Sequence, residues 1–276
     1  MTVLLRTLGA TLRGRDLAAA AASLTYFGVL AVVPWALLAL WTSTLLSSAA
    51  TVTRRLADLR ALVPPEMGAR GPWDALVAAA VHLGPLGALV AVLPATFYGE
   101  GVRRACLRLV PTPDRFTGWR ARLGLVPLLL VAPVATWVLL WPSGLLAGLA
   151  ATGGAAATLL QIFVVFNVVF VALVLVLVWV LRAVAPGRPG WRATVLGAAC
   201  TAAVLSGFLQ GFVLFLSFPI DLGVPFGGLW PVGAVVAVCL WLFVLHLLFL
   251  LGWVATLALD RRLGGDRSTT PLVDAR

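Results

Sequence analysis

The sequence contains no lysine, and few of its residues carry a charge. Only 11% of the 276 residues are charged, whereas a typical soluble domain has about 25%. All 20 basic residues are arginines, and they give a net charge of +10 against 10 acids. Hydrophobic residues make up 62% of the chain, which is more apolar surface than so few polar groups can cover in water. The composition therefore excludes a soluble globular protein and indicates an integral membrane protein.

Cysteine and histidine are also scarce, and neither is arranged as a site. The three cysteines lie far apart without a CxxC pair, which argues against a disulfide scaffold or a zinc site. The chain lacks a Gly-rich phosphate loop, HExxH and GxSxG, and its acids are scattered. We therefore predict no catalytic residues, no metal and no cofactor. A membrane-bound hydrolase stays as an alternative, and it requires two acids or a His–acid pair to converge near the membrane surface.

Long charge-free runs are what the sequence has in abundance. The longest, 123–181, has 59 residues, and a Pro/Gly cluster at 142–154 splits it into two helices. A membrane helix needs about 20 apolar residues, and only helices and closed barrels satisfy their backbone in lipid. We predict an all-α membrane protein with one domain over 1–262 and a flexible cytoplasmic tail over 263–276. The six predicted spans are about 19–46, 77–98, 123–141, 157–182, 193–217 and 230–258.

The first charge-free run, 17–53, is nearly twice as long as a span needs and holds Pro34 near its middle. This length predicts an uncleaved first helix that is long and bent or tilted, with its outer end in or beyond the membrane interface. The loop 54–74 begins with an amphipathic pattern, which predicts a short helix lying on the outer surface.

The arginines fall mostly on one side of this arrangement. The N-terminus, the segments after spans two and four, and the C-terminal tail together hold 16 of the 20 arginines. The positive-inside rule then places these segments, and both termini, in the cytoplasm.

Arginines that flank the membrane on this side are candidates for contacts with lipid head groups. Guanidinium groups pair bidentately with phosphate, and each contributes about 1 kcal/mol of attraction to anionic lipid. We expect anionic phospholipid, and not nucleic acid, as the anion, although membrane orientation alone also explains these residues. The candidates are Arg103, Arg104, Arg108, Arg120, Arg122, Arg182 and Arg192.

Polar side chains inside the spans are costly in lipid, so they usually have a partner or a task. Gln161, Asn167 and Gln210 are candidates for a polar path along which a lipid head group moves. The alternative is that each of them, like His82 and His246, bonds to a neighbouring helix and fixes packing, which contributes about 0.6–2 kcal/mol.

Small residues give a further signal on span five. Gly207 and Gly211 form a GxxxG pattern, which predicts a close contact between two helices. Because the chain has 27 glycines, chance matches to this pattern are expected.

Three segments, taken in order, resemble a known family. The first is "SLTYFGVLAVVP" (23–34), in which an aromatic pair precedes a proline, and the second is "LRAVAPGRPGWRATVLGA" (181–198). The third is "GAVVAVCLWLFVLHLLFLLGWVATLAL" (233–259). Their order and spacing resemble the BrkB/YihY family of bacterial inner-membrane proteins. The motif positions are Tyr26, Pro34, Pro186, Trp191, Trp241 and Gly252.

The resemblance implies a six-helix, multi-pass protein of the bacterial inner membrane that supports envelope integrity by transporting or positioning phospholipid or another envelope lipid. The family was formerly labelled ribonuclease BN, which is generally regarded as a mistake. Val254 stands where many members have an acid, so a step that needs this acid is in doubt here. Expected partners are membrane lipids, a second copy of the chain or envelope proteins. An oligomeric membrane scaffold without transport is the alternative function.

Overall fold

A computed structural model describes residues 9, 12–61, 69–111, 117–216, 218 and 221–264. Within these ranges the chain is helical and contains no strand. A π-helical turn, Val180–Val184, extends the seventh helix, and a 3-10 turn, Val224–Phe226, precedes the last. The α-helices of the described residues are α1 (Leu17–Leu46), α2 (Ala49–Ala61), α3 (Arg70–Val81), α4 (Gly84–Leu109), α5 (Thr117–Leu140), α6 (Ser143–Thr152), α7 (Ala155–Trp179), α8 (Trp191–Leu216) and α9 (Trp230–Leu263).

Six helical segments of the described chain are long and apolar enough to cross a membrane. They are Leu17–Leu46, Gly84–Leu109, Ala132–Thr152, Ala155–Val184, Trp191–Phe215 and Trp230–Leu263. This confirms the predicted class of an all-α membrane protein with six spans. A helix satisfies its own backbone, so its length and apolar composition identify a span without knowledge of its neighbours.

The second span is displaced along the chain from its predicted bounds of 77–98. Helix α3 ends at Val81, and the chain turns at Gly84, which has φ 63° and begins α4, with Pro85 next in its first turn. Helix α4 then continues to Leu109, so Arg103 and its neighbours lie in the last turns of the span and not in a loop. The end of α3 and the first part of α4 are both apolar and form one charge-free run in the sequence. The break between the two helices was therefore not visible in the charge pattern.

The predicted long first helix is α1, but the end of the charge-free run 17–53 belongs to a second helix, α2. Helix α1 passes through Pro34 and ends at Leu46, after which Ser47 is extended with φ −139° and ψ 161°. The region 54–74, predicted as a loop with one short helix, contains most of α2 and the start of α3. Val52 and Leu56 of α2 are buried in a cluster with Leu140 of α5, so α2 packs against the bundle. Residues 62–68 lie outside the described residues.

The main core lies where α1, α4, α5, α7, α8 and α9 meet. Helix α1 packs against α4, α5 and α9, while α8 packs against α7 and α9. Trp253 of α9 is the largest fully buried side chain and packs in this core with Leu24 and Leu250. The core is nearest to the end of the bundle at which α4, α7 and α9 finish and α1, α5 and α8 begin, since Leu17, Leu109 and Val184 all belong to it.

Helices α8 and α9 approach each other through two reciprocal pairs of glycine and threonine. A Cβ atom at Gly197 would lie well under 3.0 Å from Thr256, and one at Gly252 well under 3.0 Å from Thr201. Each threonine hydroxyl donates to the carbonyl four residues earlier, Thr201 to Gly197 and Thr256 to Gly252, both at 2.7 Å. Each hydroxyl is thus satisfied in its own helix while its side chain fills the space that the opposite glycine leaves.

Among the described residues, the GxxxG pair makes no close contact with another helix of the same chain. A Cβ at Gly207 would have nothing within 4 Å, and one at Gly211 would meet only Trp241, at 3.8 Å. The face of α8 that meets α9 contains Gly197 and Thr201, whereas Gly207 is exposed on another face.

Candidate functional site

The candidate site lies at the end of the bundle where α4, α7 and α9 finish, which we call the arginine-rich end. The arginines that the sequence singled out on α4, α5 and α7–α8 all lie here, because these helices end or begin together. Arg192 is exposed at the start of α8. Arg120 is at the start of α5, and its side chain lies outside the described ones.

A buried carboxylate, Glu100 of α4, organises two of the arginines. Glu100 is only 6% exposed. One of its oxygens accepts a hydrogen bond from Arg104, and the other accepts from Nε of Arg122 at 2.7 Å. The Arg122 guanidinium also lies 4.3 Å from the centre of the Phe97 ring. One carboxylate thus serves two guanidinium groups, so the cluster keeps an excess positive charge.

Two other arginines bond to the backbone between α7 and α8. Arg103 donates to the carbonyl of Val184 at 3.3 Å. Arg182 donates to the carbonyl of Pro189, and its guanidinium lies 4.7 Å from the Trp191 ring centre. Both therefore hold this connection in place.

The connection is fixed from α9 as well. Nε1 of Trp253 donates to the carbonyl of Pro186 at 3.2 Å, and the amide of Gly190 donates to Asp260 at 2.8 Å. Arg188, which lies between Pro186 and Gly190 in the chain, has φ 37°. This is the left-handed region of backbone conformation, which residues with a side chain disfavour. The motif positions Pro186 and Trp191 thus belong to a braced connection.

The other motif positions lie elsewhere in the fold. Tyr26 is 63% exposed and meets Phe27 edge to face at 5.6 Å. Pro34 lies inside α1, Gly252 meets Thr201, and Trp241 packs against aromatic rings of α8.

Arg104 and Arg108 line an open cleft. Together with Ser23 and Phe27 of α1 and Leu107 of α4 they enclose about 350 Å³, which we call the basic cleft. The Arg104 side chain stays 57% exposed despite its bond to Glu100, and Arg108 is exposed. Guanidinium groups therefore share this cleft with apolar side chains, as an amphiphile with an anionic head group requires.

Helices α1 and α4 approach each other closely beside the basic cleft. A Cβ at Gly101 of α4 would lie 2.5 Å from Cβ of Phe27. Only a glycine at this position lets the aromatic ring of α1 lie against α4 below the two arginines.

The three candidates for a polar path have separate surroundings. Asn167 is exposed and donates to the carbonyl of Phe163 in its own helix at 2.8 Å. Gln210 of α8 donates to the carbonyl of Ile162 in α7 at 2.9 Å, next to Gln161. No hydrogen bond joins the three side chains to one another. Gln210 therefore links α7 to α8, and Asn167 faces away from the bundle.

A buried polar group joins α1, α4 and α9. Nδ1 of His246 lies 2.9 Å from Oγ1 of Thr25, and Nε2 lies 3.2 Å from the Tyr98 hydroxyl. Sequence reasoning singled out His246 but missed both partners. No spacing relates residues on three separate helices, so the sequence offered no signal for this group.

At the opposite end of the bundle, Arg60 of α2 and Asp74 of α3 form a bidentate salt bridge. Nε of Arg60 lies 2.6 Å from Oδ1 of Asp74, and Nη2 lies 2.8 Å from Oδ2. The hydrogen bond that Arg60 donates to Asp74 raises the pKa of the Arg60 guanidinium. The two residues border an apolar cleft of about 320 Å³ between α2 and α3.

The described acids give the hydrolase alternative no support. None of them has a histidine or another acid as its hydrogen-bond partner, and the described residues hold no group of three His, Cys, Asp or Glu suited to a metal. Four acids lie outside the described residues. The hydrogen-bond partners of the others are Ala19 for Asp16, Ser143 for Asp58, Arg60 for Asp74, Arg104 and Arg122 for Glu100, Gly223 for Asp221 and Gly190 for Asp260.

Comparison with known proteins gives a match over almost the whole chain. A family model described as virulence factor BrkB matches residues 10–275. No curated protein and no solved structure matches the chain.

Proposed function

The chain belongs to the BrkB family of membrane proteins, and from this premise we propose that it binds phospholipid at its arginine-rich end. In this proposal it is a non-enzymatic protein of the bacterial inner membrane with both termini in the cytoplasm. It supports the envelope by positioning phospholipid or by transporting it between leaflets. The observation behind the proposal is the basic cleft, where two exposed arginines adjoin apolar side chains at the end of a span.

The chemistry of the cleft suits an anionic head group. Guanidinium groups bind phosphate oxygens with charge-assisted hydrogen bonds, which are stronger than neutral ones. Glu100 holds Arg104 in place but leaves more than half of its side chain exposed. Phe27 and Leu107 offer apolar contact for the upper acyl chains.

Binding is tested by native mass spectrometry of the purified protein with phosphatidylglycerol and phosphatidylcholine. Loss of a charge-assisted hydrogen bond costs about 1.5–3 kcal/mol, so the double variant Arg104→Gln/Arg108→Gln should bind phosphatidylglycerol at least about tenfold more weakly. The matched control is Arg261→Gln/Arg262→Gln, which removes two exposed charges outside the cleft. An equal loss in both variants would show that general charge, and not the cleft, attracts the lipid.

Transport is tested by lipid exchange between leaflets in vesicles that contain the purified protein. Exchange above that of empty vesicles, reduced in the Arg104→Gln/Arg108→Gln variant, supports transport. Binding without exchange limits the function to positioning.

The second candidate function is an oligomeric scaffold, and the outward face of α8 favours it. Cys200 and Gly207 are exposed there, and a Cβ at Gly207 would meet nothing within 4 Å. Small exposed residues let a second helix approach closely in a membrane. Chemical cross-linking of the Gly207→Leu variant tests this candidate, which predicts that the variant loses a dimer seen with the parent chain.

A further inference from the structure

The hydrogen-bonded residues Thr25, Tyr98 and His246 form what we call the three-helix group. His246 is 5% exposed, and its two ring nitrogens lie 2.9 Å from Thr25 Oγ1 and 3.2 Å from the Tyr98 hydroxyl. Thr25 Oγ1 also lies 2.9 Å from the carbonyl oxygen of Ala21. The imidazole lies this close to α1 because of Gly28, where a Cβ would come within 2.8 Å of the ring.

Counting donors and acceptors assigns the protons of this group. If the His246 proton is on Nδ1, it is donated to Thr25, Thr25 donates to the carbonyl of Ala21, and Tyr98 donates to Nε2. This gives three hydrogen bonds and uses every donor. If the proton is on Nε2, Thr25 donates to Nδ1 and Tyr98 accepts, so the Tyr98 hydroxyl has no acceptor among the described residues. An unmet donor away from water is costly, so the first arrangement is favoured.

We infer that His246 is a positioning residue that, with its proton on Nδ1, holds α1 in register with α4 and α9. Ser23 and Phe27, which form the α1 wall of the basic cleft, lie two residues to either side of Thr25. A shift of α1 would therefore move this wall relative to Arg104 on α4. The role at the cleft rests on the proposed lipid function, whereas the tautomer and the helix register do not.

The group fixes geometry and does not relay protons. Its hydrogen bonds run from Tyr98 through His246 and Thr25 to a backbone carbonyl, Ala21. A carbonyl oxygen accepts a hydrogen bond but has no proton to pass on.

The tautomer is tested by solid-state NMR of the full chain, with ¹⁵N-labelled histidine, in phospholipid bilayers. The variant His82→Gln leaves His246 as the one labelled residue, because the chain has two histidines. We expect a pyrrole-type signal from Nδ1 and a pyridine-type signal from Nε2. The reverse assignment, or one averaged signal for both nitrogens, would overturn the inference.

The register is tested by disulfide cross-linking between Ser23→Cys and Leu107→Cys, with the three native cysteines replaced. Thr25→Val removes the hydroxyl at nearly constant volume and should lower the cross-linking rate several-fold, while Thr25→Ser should restore it. Thr42→Val is the matched control on α1, since the Thr42 hydroxyl bonds within its own helix to Leu38 at 2.7 Å. An unchanged rate in Thr25→Val, or an equal fall in Thr42→Val, contradicts the positioning role.

Phosphatidylglycerol binding separates this inference from the proposed function. If Thr25→Val changes the cross-linking rate but not the affinity for phosphatidylglycerol, His246 does not position the cleft. If the parent chain binds no phosphatidylglycerol, the proposed function fails, and the NMR and cross-linking results still decide the tautomer and the register.

Discussion

At the residue scale, glycine sets how closely α8 and α9 approach. Gly197 and Gly252 each face a threonine of the other helix with no room for a Cβ. Because hydrocarbon gives no hydrophobic drive between helices, this close packing is a main source of their association.

Replacing Gly197 with alanine should therefore destabilise the protein. Overpacking of a tight contact costs about 1–3 kcal/mol. The control is Gly207→Ala on the same helix, where a Cβ has free space and alanine favours the helix, so no loss is expected. Unfolding in mixed detergent micelles measures both variants, and an equal loss would show that the contact with Thr256 is not tight.

The burial of an ion pair also decides how much the pair contributes to the stability of the protein. Glu100 is buried and serves two arginines, whereas the Arg60–Asp74 bridge is exposed. Water solvates an exposed pair whether or not it is formed, so such a pair adds little. A buried carboxylate that is removed leaves its cationic partners without compensation.

The variant Glu100→Gln should lower the free energy of unfolding by about 1.5–3 kcal/mol, the range for hydrogen bonds to charged groups. Asp74→Asn should have no measurable effect under the same conditions. Thermal unfolding in detergent compares them, and a larger loss in Asp74→Asn would reverse this ranking.

At the scale of elements, the connection from α7 to α8 is braced on several sides. The π-helical turn ends at Val184, whose carbonyl accepts from Arg103, and Trp253 and Asp260 of α9 bind the residues that follow. These contacts hold Arg188 at its positive φ of 37°. A residue with a side chain keeps such a conformation only when its surroundings impose it.

Arg188→Gly should therefore raise the free energy of unfolding, by about 0.5–1 kcal/mol, because glycine adopts this φ without strain. Arg188→Ala removes the same charge but keeps a Cβ, so it should not be stabilising. Unfolding in mixed micelles distinguishes the two, and equal effects would assign the change to charge and not to the backbone.

At the scale of the whole molecule, most guanidinium groups of the described residues lie at one end of the bundle. Positive-inside orientation predicts that this end faces the cytoplasm. The turn between α1 and α2, which contains exposed Ser48, is at the opposite end from Gly264, which follows α9.

Thiol labelling in whole cells tests this orientation. In a background without native cysteines, a membrane-impermeant maleimide should label Ser48→Cys in intact cells and Gly264→Cys only after permeabilisation. The opposite pattern would place the basic cleft outside the cytoplasm.

The sequence by itself determined the class of the protein and the number of its spans. Both follow from local properties, since each helix satisfies its own backbone and hydrocarbon accepts only apolar stretches of sufficient length. The bounds of the second span were predicted less accurately from the sequence. The apolar end of α3 and the start of α4 form one charge-free run, which conceals the turn at Gly84.

Only the tertiary structure decided which polar groups meet. From the sequence, seven arginines on one side of the membrane had the same predicted role. The fold distinguishes them: Arg122 pairs with Glu100, and Arg182 bonds to a backbone carbonyl. Arg104 and Arg108 line an open cleft. The partners of His246 were likewise hidden. A hydrogen bond requires two atoms within about 3 Å, and in a bundle this distance depends on the rotation and approach of separate helices, which no local pattern encodes.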